Sequence, residues 1–171
     1  MNSPAARLYL TLTALLLSTP LLAEQDWQSM PANPLLLTVS GELACCPGGS
    51  AYLDLQRLDS LPQTEVKTQT PWTDTTDSYT GVRLSELLKV LGAAGKTLTA
   101  TAMNDYSTEF GIDTALQYPV ILATRRNQQQ MRIRDKGPIW IIYPLNDYPQ
   151  LRKEEHHHAM VWQLKSLQIS D

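Results

Sequence analysis

Leucines at positions 84, 87, 88 and 91 recur at i, i+3, i+4 and i+7. That spacing lays one apolar stripe along a helix. Gly92 and Gly95 follow as candidate C-terminal caps. It is the clearest helical period in the chain. Leu55, Leu58 and Leu61 predict a second, short helix, capped by Asp54 and ended by Pro62. Asp113 is expected to cap one further helical turn before Pro119.

The rest reads as short strands. Residues 35–41 are rich in Leu, Thr and Val and end at Gly41. Pro47, Gly48, Gly49 and Ser50 form a turn. Residues 65–70 and 97–102 alternate, and residues 107–112 return as extended chain after a turn at Asn104, Asp105 and Tyr106. Residues 120–124 and 131–133 predict a hairpin with Gln128, Gln129 and Gln130 at its tip. The unbroken apolar run from Ile139 to Tyr143 predicts a central strand buried on both faces. Met160, Trp162 and Leu164 are expected on one face of the last strand. Many short strands with few short helices imply a compact, β-rich α+β domain with mixed sheets.

The N-terminus reads as an address. Arg7 precedes an apolar run from Leu8 to Leu17, Ser18, Thr19 and Pro20 break it, and Ala23 is a plausible last residue before cleavage. Residues 1–23 are therefore expected to be a signal peptide and residues 24–171 a single exported domain, periplasmic in location. Nothing after the leader resembles a membrane helix. Loss of Arg7 takes the net charge from −3 to −4. A mildly acidic chain with no basic cluster makes a poor nucleic-acid binder.

Three stretches carry more than local structure. The first runs from Val66 to Thr73 and contains Thr68, Pro71 and Trp72. The second is Gly81 and Val82 leading into the leucine helix, followed by Asn104, Asp105 and Tyr106. The third is Gly137, Pro138, Ile139 and Trp140. In that order they resemble the molybdopterin-binding oxidoreductase domain of the sulfite oxidase type. The resemblance covers residues 34–169 and implies that family's compact α+β fold. In catalytic members a cysteine thiolate binds molybdenum, often as Cys-x-x-x-Trp. Here the position four before Trp72 is Thr68, and a neutral hydroxyl does not replace a soft thiolate. The resemblance thus implies the fold without the chemistry, with no cofactor expected. The cofactor cleft, lined by Thr68, Trp72, Asn104, Asp105 and Tyr106, would instead take a small ligand or a protein partner. Similarity to small stand-alone members implies a membrane-bound sensor or signalling protein as that partner. The alternative is a molybdopterin-dependent oxidoreductase with an atypical metal site.

Outside that cleft, two clusters could carry chemistry. Cys45 and Cys46 are adjacent and are the chain's 2 cysteines. In an oxidising compartment they could form a strained vicinal disulfide that serves as a redox switch, pair with another chain, bind a soft metal, or simply be tolerated in a turn. His156, His157 and His158 follow Glu154 and Glu155. In a strand, His156 and His158 would share one face and could ligate copper or zinc; otherwise the run is an exposed polar loop. Loop acids at Asp74, Asp77, Asp105 and Asp147 suit turn chemistry. There is no nucleophile elbow, glycine-rich phosphate loop or zinc-type helix motif.

Overall fold

The computed structural model describes residues 25–171. The expected leader and the start of the mature chain at Glu24 lie outside them. Ten strands and four α-helices build two five-stranded sheets. The α+β, mixed-sheet architecture expected from the pattern is what the chain adopts.

The first sheet has the order β2-β1-β10-β5-β6. Its strands are β1 (Leu37–Ser40), β2 (Ser50–Leu53), β5 (Thr97–Ala102), β6 (Ser107–Gly111) and β10 (Leu164–Ser170). The first and last of these in the chain, β1 and β10, pair in parallel; the other pairs are antiparallel. Leu98, Ala100 and Ala102 alternate inward along β5, as a sheet with one covered face requires.

The second sheet has β3 (Gln63–Thr68), β4 (Asp77–Arg83) and β7 (Ile121–Arg126) side by side. The far edge of β7 is shared: β8 (Gln129–Gln130) pairs at Arg125 and Arg126, and β9 (Trp140–Ile142) pairs at residues 121–123. At Gly81 the β4–β7 register shifts, and a side chain there would run into the Leu122 carbonyl. Only glycine allows that approach.

The leucine helix α2 (Leu84–Leu91) buries all four of its predicted leucines and ends at Gly92 in the left-handed conformation. Full burial of each leucine contributes about 1.5–3 kcal/mol. The short helix α1 (Leu55–Asp59) starts at Asp54, whose carboxylate accepts the Arg57 N–H. Burial works against that carboxylate. Hydrogen bonds from Arg57 and Asn33 outweigh it and hold the Asp54 pKa below its ordinary value.

Several expectations differ from the structure in instructive ways. The helix α3 (Ile112–Gln117) starts from Gly111, and Asp113 sits inside its first turn. The hairpin tip is Asn127 and Gln128, both left-handed, while Gln129 and Gln130 form the return strand. Two successive residues with positive φ suit a tight turn matching strand twist. Residues 131–133 do not extend that strand; Ile133–Asp135 make a 3-10 turn. The strand β2 has no apolar run long enough to stand out, and it is held by register with β1. Finally, Ile139–Tyr143 is buried throughout, yet β9 pairs with one regular strand only. Its other edge is covered by irregular chain: Ile141 N–H donates to Val161 O, and Leu164 N–H to Ile139 O.

Candidate ligand-binding site at the seam of the two sheets

That irregular chain, residues 160–163, is where the sheets meet. Gln163 has a positive φ. Its carbonyl accepts Met103 N–H from the end of β5, while its own N–H donates to Lys136 O beside β9. The expected alternation of Met160, Trp162 and Leu164 along a strand fails here, since β10 begins only at Leu164. The backbone is spent on joining two sheets, so no ladder continues.

A cavity of about 360 Å³ opens at this seam. Four segments contribute to it. Pro71 and Trp72 come from the β3–β4 connection, and Asn104 and Tyr106 from the β5–β6 turn. Met160, Val161 and Trp162 come from the joining segment, and His157 and His158 from helix α4 (Glu154–Ala159). The volume lies in the range that takes small organic ligands.

Indoles dominate one wall. The Trp72 and Trp162 rings meet edge to face at 5.0 Å, and the buried Trp140 backs both at 6.2 and 6.4 Å. Trp140 is fixed by its own Nε1–H, which donates to Met160 O at 3.0 Å. Trp72 remains 39% exposed and Tyr106 45% exposed. The Lys136 ammonium lies 3.9 Å from the Trp162 ring centroid, 5.4 Å from Trp140 and 5.9 Å from Trp72. Among the described residues Lys136 has no ion-pair or hydrogen-bond partner at Nζ. Burial, then repulsion from Arg126, lowers its pKa. The indole faces supply the attraction that hydration loses.

The opposite wall is more polar. Asn104 Oδ1 accepts the Tyr106 N–H at 3.2 Å, so Nδ2 is the amide's remaining donor. Tyr106 Oη reaches the His158 carbonyl at 3.5 Å. His158 Nε2 contacts Glu154 Oε1 at 3.4 Å within α4. The lining includes no carboxylate, lysine or arginine.

The structure thus brings Trp72, Asn104 and Tyr106 to one cavity and leaves two other cleft candidates out of it. Thr68, the last residue of β3, is fully buried. Its hydroxyl donates to the neighbouring Gln69 carbonyl at 3.3 Å. Asp105 is left-handed, and its carboxylate points outward to Lys165. That ion pair, as hydrogen bond first and charge second, lowers the Asp105 pKa. Val161 and Trp162 carry no site signal in the sequence, because their wall exists only through the seam.

Neither outlying cluster converges. The histidine run is helical, so successive rings point about 100° apart and His156 and His158 do not share a face. His156 stacks on the buried Tyr143 ring at 5.4 Å, and burial lowers its pKa. Cys46 is buried and Cys45 half-buried, both as thiols, where Cys45 N–H meets the end of α2 at Leu91 O. Burial, a hydrogen bond with Cys46 and the Cys46 charge push the Cys45 thiol up to about 12. A protonated thiol is a poor metal ligand and nucleophile. Among the described residues no group of three His, Cys, Asp or Glu could hold a metal ion.

Molybdopterin, the group the family resemblance implies, does not fit the residues present. Thr68 offers no thiolate and no open face, and the cavity lining has no lysine or arginine to meet a phosphate.

No protein-family model matches the chain, and no curated protein matches it. Among solved structures it is similar to the sulfane dehydrogenase SoxCD from Paracoccus pantotrophus, with a TM-score of 0.58 and 19% identity. The match covers 79% of this chain and 38% of that one. SoxCD is a sulfite oxidase family protein, so the chain shares that fold at a distance. It spans well under half the length of the SoxCD chain. No helix among the described residues is long and apolar enough to cross a membrane.

Proposed function

We propose that this protein is a non-catalytic binding module on a sulfite-oxidase-like fold, exported to the periplasm, whose seam cavity holds a small ligand. The carrying observation is one of placement. Trp72, Asn104 and Tyr106 line an open cavity, while the position that would ligate molybdenum is a buried threonine four residues before Trp72. Exposed aromatic walls with a few polar groups suit binding. Acid–base or nucleophilic chemistry needs a positioned titratable group, and the lining offers two imidazoles, one engaged by Glu154, and the Tyr106 phenol, turned to the His158 carbonyl. The dehydrogenase chemistry in the SoxCD name needs a redox centre, for which Thr68 gives no anchor. In our reading, ligand occupancy is passed to a membrane-bound sensor or signalling partner.

The test is to isolate the untagged protein from the periplasm of cells that make molybdopterin. Molybdenum, copper, zinc and pterin are then measured per chain. The expected result is substoichiometric metal and no pterin. One molybdenum with one pterin per chain would make it an enzyme; one copper or zinc lost on joint Cys45→Ser and Cys46→Ser substitution would move the function to the thiols.

A further inference from the structure

The cavity's walls restrict what can fill it. Trp72, Trp162 and Tyr106 offer flat aromatic surface, and Asn104 Nδ2 and His157 offer hydrogen bonds at the rim. Indole faces attract cations as well as rings, so an aromatic wall alone would leave the ligand's charge open. Here that choice is already made. Lys136 lies over the same indoles that form the wall, 3.9 Å from the Trp162 centroid, with no carboxylate of its own. Arg126 adds a second positive charge to its surroundings, although Asp77 pairs with that guanidinium. No carboxylate lines the cavity to compensate an incoming cation. Of the acids next to lining residues in the chain or paired with them, Glu154 contacts His158 and Asp105 pairs with Lys165.

We propose that the seam cavity selects a planar aromatic or heteroaromatic molecule carrying no positive charge, and that Lys136 enforces the charge selection by occupying the cation position of the indole cluster. This rests on reading the cavity as the ligand site. Lys136 is a specificity residue here: it lies over the indoles without lining the cavity, and the ligand meets Trp72 and Trp162. Repulsion between two cations sharing one indole cluster, only partly screened by solvent, weakens a cationic ligand on the order of ten-fold or more.

Calorimetric titration of the full mature chain with four probes of similar size tests the selection. Indole is neutral, indole-3-acetate anionic, tryptamine cationic, and cyclohexanol neutral but not aromatic. Indole and indole-3-acetate should bind, tryptamine at least about ten-fold more weakly than indole, and cyclohexanol more weakly than indole. Trp72→Ala should abolish the indole signal. In Lys136→Met the tryptamine-to-indole ratio should rise toward one, while Lys136→Arg, which keeps the charge, should retain the discrimination. Position 136 is left-handed whichever of these side chains it carries, so the variants share that backbone cost. Circular dichroism of each confirms that it is folded. Tryptamine binding as tightly as indole, or a ratio unchanged in Lys136→Met, would overturn the charge selection. Trp72-dependent binding of cyclohexanol but not indole would overturn the ligand class and leave the cavity reading standing. If no probe bound in a Trp72-dependent way, both would fall.

Discussion

Thr68, the last residue of β3, and Trp72, in the connection that follows, lie four residues apart, yet they belong to two different environments. At Thr68 the end of β3 is sealed: its side chain has no exposed surface, and its hydroxyl bonds to the next residue. At Trp72 the chain has left the sheet, and its indole stands at a cavity mouth against two other tryptophans. The contrast teaches that packing can seal one residue at the end of a strand while the chain four residues on stands at an open cavity. The seam stays open because residues 160–163 use their backbone to join two sheets, which prevents the regular pairing that would fill it.

The sharpest way to break the comparison is to exchange the two tryptophans for alanine. Trp140 is fully buried with its Nε1–H satisfied. Trp140→Ala should cost about 3–5 kcal/mol in denaturant unfolding. Trp72→Ala, at a half-open site, should cost about 1 kcal/mol and weaken ligand binding by ten-fold or more. Equal stability losses would erase the distinction between closed core and open wall.

A remote change sharpens it. Asp54 caps α1 in a region with no part in the cavity. Its folded pKa is depressed, so its contribution is present above the unfolded value of about 3.9 and is lost as pH falls through the lower folded value. Asp54→Ala should therefore lower stability by about 1 kcal/mol at neutral pH, and the loss should vanish toward strongly acidic pH. Thermal unfolding from neutral to acidic pH reads this, and ligand affinity at neutral pH should not move.

The smallest effect concerns the closed region itself. The Tyr143 hydroxyl is buried without a hydrogen-bond partner among the described residues, and burial raises its pKa. Tyr143→Phe removes a desolvated polar atom and should leave stability unchanged or raise it by up to about 1 kcal/mol. A clear loss in chemical denaturation would show that the hydroxyl is satisfied in solution.

The sequence was most legible where one local rule decides the outcome. Leu84 to Leu91 needed only its period, Asp54 only a carboxylate before a helix, and β5 only its alternation. It was least legible where distant chain decides. The Glu154–Ala159 helix carries three histidines with no apolar stripe and reads as loop or strand until it packs beside Tyr143. The cavity wall at Val161 and Trp162 depends on Gln163 bonding to both Met103 and Lys136, across two sheets. Lys136 over the indoles has no sequence signal either, because residues 72, 136, 140 and 162 converge only through the fold. Of the residues proposed for the cleft, Trp72, Asn104 and Tyr106 line the cavity because they sit in connections at the seam. Thr68 ends a regular strand and is buried by it.

The central claim is that the seam cavity, and not the sealed Thr68 position, is where this protein meets its ligand. Native mass spectrometry of the protein isolated from cells that make molybdopterin, parent against Trp72→Ala, tests it most directly. The account predicts a metal-free organic adduct on the parent that is lost from the variant. A molybdenum–pterin mass, or an adduct of equal occupancy on both proteins, would contradict it.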